Sequence, residues 1–268
     1  MKITTVGQRV TPEIAPHPGG VGSRAEHRFY VGAALLMIFL SIAGFGPSII
    51  EQSRRNAPSS PMVIAHGMVV GAWLLLFLIQ AALVATGRIA VHRRLGSVGP
   101  ALALAMIVLG VVVLIGFGRR GYDLSGDVVR AISRTASPQN PAVVLFPLSE
   151  LVSFGILVGL ALRYRQRPDI HKRLMLLAAV PILVEPLLHM VGHLSLYWPA
   201  LQGRGIAVAV PITLLLLSAT LIHDRVSRGR IHPANRWVCL LLLIWQNLLV
   251  PVVFSSSAWR KFSVWLVR

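Results

Sequence analysis

The stretch GPALALAMIVLGVVVLIGFG, residues 99–118, decides the fold class of this chain. It is a run of 20 residues without a single charged side chain. An α-helix needs about 20 predominantly apolar residues to cross the hydrocarbon core of a bilayer. The run therefore predicts a membrane-spanning α-helix.

Six other segments have the same character, so the sequence predicts an all-α, polytopic transmembrane helix bundle with seven spans. The last predicted span is interrupted by Gln246 and Asn247 before Pro251, and a six-span bundle with a re-entrant final segment stays open. Proline inside a span is compatible with a membrane helix when neighbouring groups satisfy the freed carbonyls. The predicted spans are 29–50, 61–87, 99–118, 142–162, 174–198, 205–222 and 237–254.

The composition supports a membrane protein over a soluble one. Charged residues make up 13% of the chain and the mean hydropathy is +0.70, whereas a soluble domain carries about 25% charged residues. The net charge of +17 would suggest nucleic acid in a soluble protein. Here the basic residues lie in the gaps between apolar segments, so we expect anionic lipid headgroups as partners and no nucleic acid. The single cysteine, Cys239, excludes an intramolecular disulfide.

Lysine and arginine are distributed unequally between the two predicted faces. The face that carries the N-terminus holds 16 of them and the opposite face holds 10, which predicts a cytoplasmic N-terminus and an outer C-terminus. We expect residues 1–28, which lack a signal-type apolar core, to be a disordered basic cytoplasmic tail. The bundle would occupy 29–254, and 255–268 would form a short outer segment. In the outer loop 119–141, Ser125 can cap a short interfacial helix.

Several motifs together resemble a family of uncharacterised bacterial polytopic membrane proteins. The motifs are His66–Gly67 followed by Trp73 and Gln80 in one span, HRRLG at 92–96, HKRLM at 171–175, RGRIHP at 228–233 and SSAWRKFSVWLV at 256–267. The resemblance covers most of the chain from Phe29 onward. It implies a multi-pass protein of the bacterial inner membrane, and it supplies no catalytic residue.

The stretch EPLLHMVGH, residues 185–193, places three titratable side chains inside the fifth predicted span. Glu185, His189 and His193 are four residues apart and share one helix face. Glu185 would lie about 19 Å below the boundary marked by Tyr197 and Trp198. With His66 from the second span, these histidines form a candidate site for a divalent metal or haem b. The alternative is structural, because prolines 181 and 186 free carbonyls that polar side chains can satisfy.

Other polar residues suggest two further roles. Glu150 and Glu185 are intramembrane acids, candidates for a proton acceptor or a second-shell acid, and with Gln246 and Asn247 they could line a narrow proton or ion path. At the cytoplasmic boundary, three basic clusters are candidates for contact with lipid headgroups or other anions. Their members are His92, Arg93, Arg94, His171, Lys172, Arg173 and His223.

Three classes of function are compatible with these residues. The first is a small carrier, a membrane subunit or a scaffold. The second is a haem b or metal-binding redox protein that uses His66, His189 and His193. The third is a membrane zinc hydrolase, superficially similar to the alkaline ceramidase and adiponectin-receptor group, although here the HxxxH pair is in the fifth span and Met62 replaces the serine of that group. The sequence leaves the substrate, the protein partners and the oligomeric state open.

Overall fold

The computed structural model describes residues 24–132 and 140–268 and confirms an all-α membrane-spanning bundle. None of these residues forms a β-strand. In the described part of the chain, seven helical segments are long and apolar enough to cross a membrane. Spans 1 to 7 are Arg24–Ile50, Pro61–Ala85, Ile89–Arg120, Pro141–Arg163, Pro168–Leu194, Gly205–Arg228 and Pro233–Ser255.

Four of the spans are built from more than one helical piece. Span 3 joins helices Ile89–Gly96 and Gly99–Arg120, and span 4 joins a 3₁₀ turn, Pro141–Val144, to helix Leu145–Arg163. Span 5 is broken in the middle by a 3₁₀ turn: its pieces are Pro168–Ala179, Pro181–Leu183 and Val184–Leu194. Span 7 contains a π-helical turn between its two helices: its pieces are Pro233–Ile244, Trp245–Leu249 and Val250–Ser255.

Short helices cover the end of the bundle where span 1 finishes. We call this end the C-side and the opposite end, where span 1 begins, the N-side. A helix that we call the loop helix, Asp127–Ile132, lies between spans 3 and 4, and a C-terminal helix, Ser257–Leu266, follows span 7. Ser125 Oγ accepts a hydrogen bond of 3.1 Å from Asp127 N at the start of the loop helix. Two 3₁₀ turns, Gln52–Arg54 and Pro199–Leu201, complete this side.

The described segments refine one predicted boundary and the predicted number of spans. Span 1 begins at Arg24, so residues 24–28, assigned to the tail from sequence, are helical; the predicted disorder of residues 1–23 lies outside the described part of the chain. The seventh segment is helical from Pro233 to Ser255 and long enough to cross, which favours seven spans over a re-entrant segment. Which side faces the cytoplasm stays a prediction.

Span 5 is the centre of the bundle. Of its apolar window, 67% is buried inside the protein, against 17–44% for the other spans. It packs against spans 1, 4, 6 and 7 and against the loop helix. A side chain on span 5 therefore meets protein on most of its faces, and this position makes the polar residues of EPLLHMVGH part of the interior rather than of the lipid-facing surface.

Two glycines allow other backbones to approach span 5 closely. A Cβ at Gly44 of span 1 would lie 2.2 Å from the carbonyl oxygen of Pro186, and a Cβ at Gly192 would lie 1.9 Å from the carbonyl oxygen of Asp127. Both separations are far below van der Waals contact, so only a residue without a side chain fits at these crossings. These crossings bring span 1 and the loop helix onto the face of span 5 that carries Glu185 and His189.

Candidate functional site

Two acidic side chains from different spans lie together in the middle of the bundle. Glu150, on span 4, is buried, with only 6% of its surface exposed. Glu185 is in the first turn of the last helix of span 5, directly after the 3₁₀ break. The two carboxyl groups are close enough to interact electrostatically. The sequence predicted each acid as a candidate, and the structure places the two within electrostatic range of each other, as an acid pair.

His189, one turn beyond Glu185, connects this pair to the loop on the C-side. Its Nδ1 lies 3.3 Å from Ser125 Oγ and 3.6 Å from Asp127 Oδ2. The first distance is within hydrogen-bond range and the second is an ion-pair distance. The imidazole ring packs against Phe45, with 4.7 Å between the ring centroids. His189 therefore lies between the middle of the membrane and the loop. It also interacts electrostatically with Glu185, one member of the acid pair.

Two buried aspartates in the loop complete the series of titratable groups. Ser125 Oγ donates a 2.7 Å hydrogen bond to Asp123 Oδ2, and Asp123 also interacts electrostatically with Glu185. Within the described part of the chain, Asp123 Oδ1 and Asp127 Oδ2 are buried and have no hydrogen-bond partner. Buried oxygens without a donor are costly, so both positions can accept a hydrogen bond from a water molecule or a proton carrier.

Arg130 and His189 set the charge state of Asp127. Burial alone would raise the pKa of the Asp127 carboxyl, but the neighbouring His189 imidazole and the Arg130 guanidinium hold this pKa below its ordinary value. Arg130 forms an ion pair with Asp127 Oδ1 and donates to the Gly192 carbonyl at 3.4 Å. Asp127 is therefore an anion at neutral pH, in front of an imidazole.

A small polar cavity lies beside these groups on the C-side. Its volume is about 10 Å³, and a cavity of roughly 10–15 Å³ is the smallest that holds one water molecule. Acidic and basic side chains line this cavity, together with residues at the end of span 1. The lining residues are Pro47, Ser48, Glu51, Arg54, Arg55, Ser125, Asp127, Arg130, His193 and Leu196.

Gln246 reaches the same region from span 7. It is in the π-helical turn; Ser149 Oγ donates to its Oε1 at 3.0 Å, and its Nε2 donates to Ser153 Oγ at 3.4 Å. These two serines flank Glu150 on span 4. π-Helical turns occur frequently at functional sites. Asn247 instead donates to the Leu243 carbonyl at 3.1 Å and is exposed, so of the two predicted path residues it is Gln246 that lies beside the acid pair.

The three histidines of the predicted metal or haem site have separate neighbours. His66 Cε1 would lie 3.3 Å from a Cβ at Gly110, which places His66 between spans 2 and 3. Its Nδ1 is buried and has no hydrogen-bond partner among the residues that the structure describes. His193 packs on Tyr197, with ring centroids 5.6 Å apart, and His189 packs on Phe45. In the described residues, no group of three or more His, Cys, Asp or Glu side chains is arranged to hold a metal ion. The metal or haem site stays a prediction.

Two of the predicted headgroup-binding residues on the N-side are engaged within the protein. Arg173 is 2% exposed and its guanidinium binds both oxygens of Asp224, with Nε distances of 3.0 and 3.1 Å. A further bond of 2.5 Å joins Arg173 to the carbonyl of Asp169. Lys172 forms an ion pair with Glu26 at the start of span 1. These cations join spans 1, 5 and 6.

The remaining members of the predicted headgroup set differ in exposure. Arg93 and Arg94 are exposed and His92 is partly buried. His171 Nδ1 lies 2.8 Å from the carbonyl oxygen of Ala161. His223 stacks on Phe29, with ring centroids 3.9 Å apart. Headgroup contact stays a prediction, with the two exposed arginines as its best-placed members.

Asp123, Asp127 and Arg130 are members of the site that the sequence predictions missed. A signal was present, since two of only nine acidic residues in the chain stand four apart in one loop beside an arginine. The capping residue Ser125 indicates a short helix in this loop, but acids in loops usually face solvent, so their burial is not visible from the sequence.

Comparison with family models, with curated proteins and with solved structures finds no match to this chain.

Proposed function

We propose that this integral membrane protein handles protons, as a small proton-coupled carrier or as a proton-handling subunit of a larger membrane complex. The observation that supports the proposal is the series Glu150, Glu185, His189 and Asp127, which leads from the middle of the bundle to its C-side. Side chains that gain and lose protons follow one another along this line, and His189 is the type of residue that transfers protons near neutral pH.

The acid pair is suited to hold a proton at mid-membrane. A charge in the hydrocarbon region is costly, and two carboxylates within electrostatic range of each other also repel. Binding one proton removes the repulsion and one of the two charges, and that proton can be exchanged with a neighbouring group. Glu185 is better placed than Glu150 to make the exchange, because it is on the helix that carries His189.

The proton-binding groups of this series extend from the acid pair toward the C-side only. On the C-side, His189 contacts Ser125 Oγ, and Asp127 borders the polar cavity. Toward the N-side, span 4 continues from Glu150 with buried apolar side chains, Phe154, Leu157 and Val158. A series of proton-binding groups that reaches one face only can exchange protons with that face without short-circuiting the membrane.

The proposal predicts a transient, voltage-sensitive charge movement. Proteoliposomes adsorbed on a solid-supported membrane should give a transient current after a rapid pH step on the exposed side, because protons move from the surface to Glu185 and stop there. The double variant Glu150→Gln/Glu185→Gln should reduce this current to background. His189→Leu should slow it while leaving the acids in place.

A matched control separates the site from general effects of removing a carboxylate. Asp169→Asn makes the same chemical change on a half-exposed side chain at the N-side, where the carboxylate pairs with His232 at 2.9 Å. This variant should keep the transient current. An unchanged current in the correctly folded double glutamine variant would contradict the proposal.

A haem b or metal-binding redox function is the second candidate. One observation favours it: the Nδ1 of His66 is buried and has no hydrogen-bond partner within residues 24–132 and 140–268. An absorption spectrum and elemental analysis of detergent-purified protein from haem-replete cells test it on one sample. A Soret band, or near-stoichiometric metal, that is lost in His66→Ala would support this function in place of the first. Metal without colour would favour the zinc hydrolase.

We also propose a bacterial inner-membrane location with the N-side in the cytoplasm, supported by the excess of lysine and arginine on that side. The C-side opening of the path would then face outward. Alkaline phosphatase fused after Arg268 should be active and a fluorescent protein fused there should be dark, since these reporters work on opposite sides of the inner membrane. The reverse pattern would place the opening in the cytoplasm.

A further inference from the structure

A crevice on the N-side half of the bundle is separate from the proton path. It has a volume of about 250 Å³ and lies between spans 1, 5 and 6. Its walls are apolar except for Arg28 and Thr220. Thr220 Oγ1 already donates to the Leu217 carbonyl at 2.7 Å, so the guanidinium of Arg28 is the polar group that remains for a ligand. The walls are Arg28, Phe29, Gly32, Ala33, Leu36, Met37, Leu176, Val180, Leu216, Ala219 and Thr220.

Small side chains open this crevice. Gly32 is exposed, and a Cβ there would meet nothing within 4 Å. Ala33 lies beside it, and Ala219 faces it from span 6. Larger residues at these positions would fill the space between the helices. An apolar space of this size does not hold ordered water, and in a membrane the molecules available to fill it are lipids.

The dimensions and the charge of the crevice match one lipid. Arg28 and Met37 are nine residues apart on span 1, which corresponds to about 13 Å along the helix. This length is close to half of the roughly 30 Å hydrocarbon core, the depth of one leaflet. Arg28 is exposed at the end nearer the membrane surface, and none of the ion pairs within the described residues includes it. A free guanidinium binds phosphate with two parallel hydrogen bonds.

We propose that this crevice is a binding site for an anionic glycerophospholipid, with one acyl chain between spans 1, 5 and 6 and the phosphate on Arg28. The site is independent of the proton path. Phe29 connects it to the neighbouring polar network, because its ring lines the crevice and stacks on His223. The bound lipid would therefore lie beside the ion pairs that join spans 1, 5 and 6.

Photolabelling tests this proposal. Purified protein is reconstituted in nanodiscs with a trace of phosphatidylglycerol that carries a diazirine on one acyl chain, and labelled peptides are identified by mass spectrometry. Labelling should concentrate on the peptides that contain Gly32 and Leu216, and should exceed that by the matching phosphatidylcholine probe. Unlabelled phosphatidylglycerol should compete, and inorganic phosphate should not, because it lacks the chain.

Two variants and one control make the test specific. Arg28→Gln should weaken labelling by the anionic probe about fivefold, which corresponds to the ~1 kcal/mol that a basic residue contributes at an anionic membrane surface. Gly32→Leu should abolish labelling in the crevice by both probes, because the new side chain occupies the acyl-chain position. Arg93→Gln, at an exposed arginine elsewhere on the N-side, should leave labelling of the crevice by the anionic probe unchanged. Equal labelling by both probes, insensitive to Arg28→Gln, would overturn the proposal.

Discussion

Replacing Arg173 by methionine is expected to lower the free energy of unfolding by about 3–5 kcal/mol, the cost of leaving one member of a buried ion pair without its partner. Asp224 is 1% exposed, so water cannot replace the lost guanidinium. Two neutral donors would remain, Asn235 Nδ2 at 2.9 Å and the backbone nitrogen of His232 at 3.1 Å. They satisfy hydrogen bonds of the carboxylate but do not neutralise its charge.

Unfolding in mixed micelles, followed by circular dichroism over a series of dodecyl sulfate fractions, measures this loss. The double variant Arg173→Met/Asp224→Asn should recover part of the stability, because it removes the buried charge along with its partner. Arg93→Gln, at an exposed arginine, should change the stability by less than about 0.5 kcal/mol. A similarly small change in Arg173→Met would show that Arg173 is not the counter-ion of Asp224.

The substitution Gly192→Ala is expected to have the second largest effect, a loss of about 3 kcal/mol together with displacement of the loop helix. Overpacking a core usually costs about 1–3 kcal/mol, and this site is at the upper end because the new Cβ meets backbone. It would lie 1.9 Å from the Asp127 oxygen and 2.5 Å from the carbonyl carbon of the same residue. A helix backbone cannot change rotamer to make room.

The same change should also disturb the proton path. The loop helix carries Asp127, and Arg130 holds it to the Gly192 carbonyl. Moving the loop helix away from span 5 would lengthen the 3.6 Å separation between Asp127 and His189. We therefore expect faster hydrogen exchange in residues 123–132 and a slower proton transient.

A second glycine provides the control for this prediction. Gly71, in the middle of span 2, is exposed and a Cβ there would meet nothing within 4 Å. Alanine is favoured over glycine inside a helix by roughly 0.5–1 kcal/mol, so Gly71→Ala should leave the stability unchanged or raise it. If Gly192→Ala behaved in the same way, the close approach of the loop helix to span 5 would be disproved.

The sequence predicted the spans well because each is visible in its own segment. The run 99–118 alone indicates a helix, and the structure has helix Gly99–Arg120 at that place. The short helix predicted in the loop 119–141 is also present, at Asp127–Ile132, and Ser125 accepts the hydrogen bond from its first backbone nitrogen. Hydropathy and capping depend on residues that are neighbours in the chain, and a single sequence contains that information.

The candidate site was predicted less completely because it combines distant segments. Glu150 and Glu185 were identified singly, since an acid inside an apolar run is conspicuous. Their pairing depends on how spans 4 and 5 are rotated against each other. Asp127 and His189 are 62 residues apart in the chain, so their contact depends on the loop folding back onto span 5.

Arg173 illustrates the same division. Its charge and its place at the end of a span are visible in the sequence, and they predict that Arg173 contacts the lipid headgroups. The partner that holds it, Asp224, is 51 residues away on span 6. The sequence was sufficient to predict a multi-span membrane bundle, because an apolar helix must be long enough to cross lipid wherever it occurs. The continuous helical segment Pro233–Ser255 in the structure is what favours seven spans over six. The tertiary structure decided which polar side chains face one another, because helix rotation and packing are set by close fits such as those at Gly44 and Gly192, which no local pattern encodes.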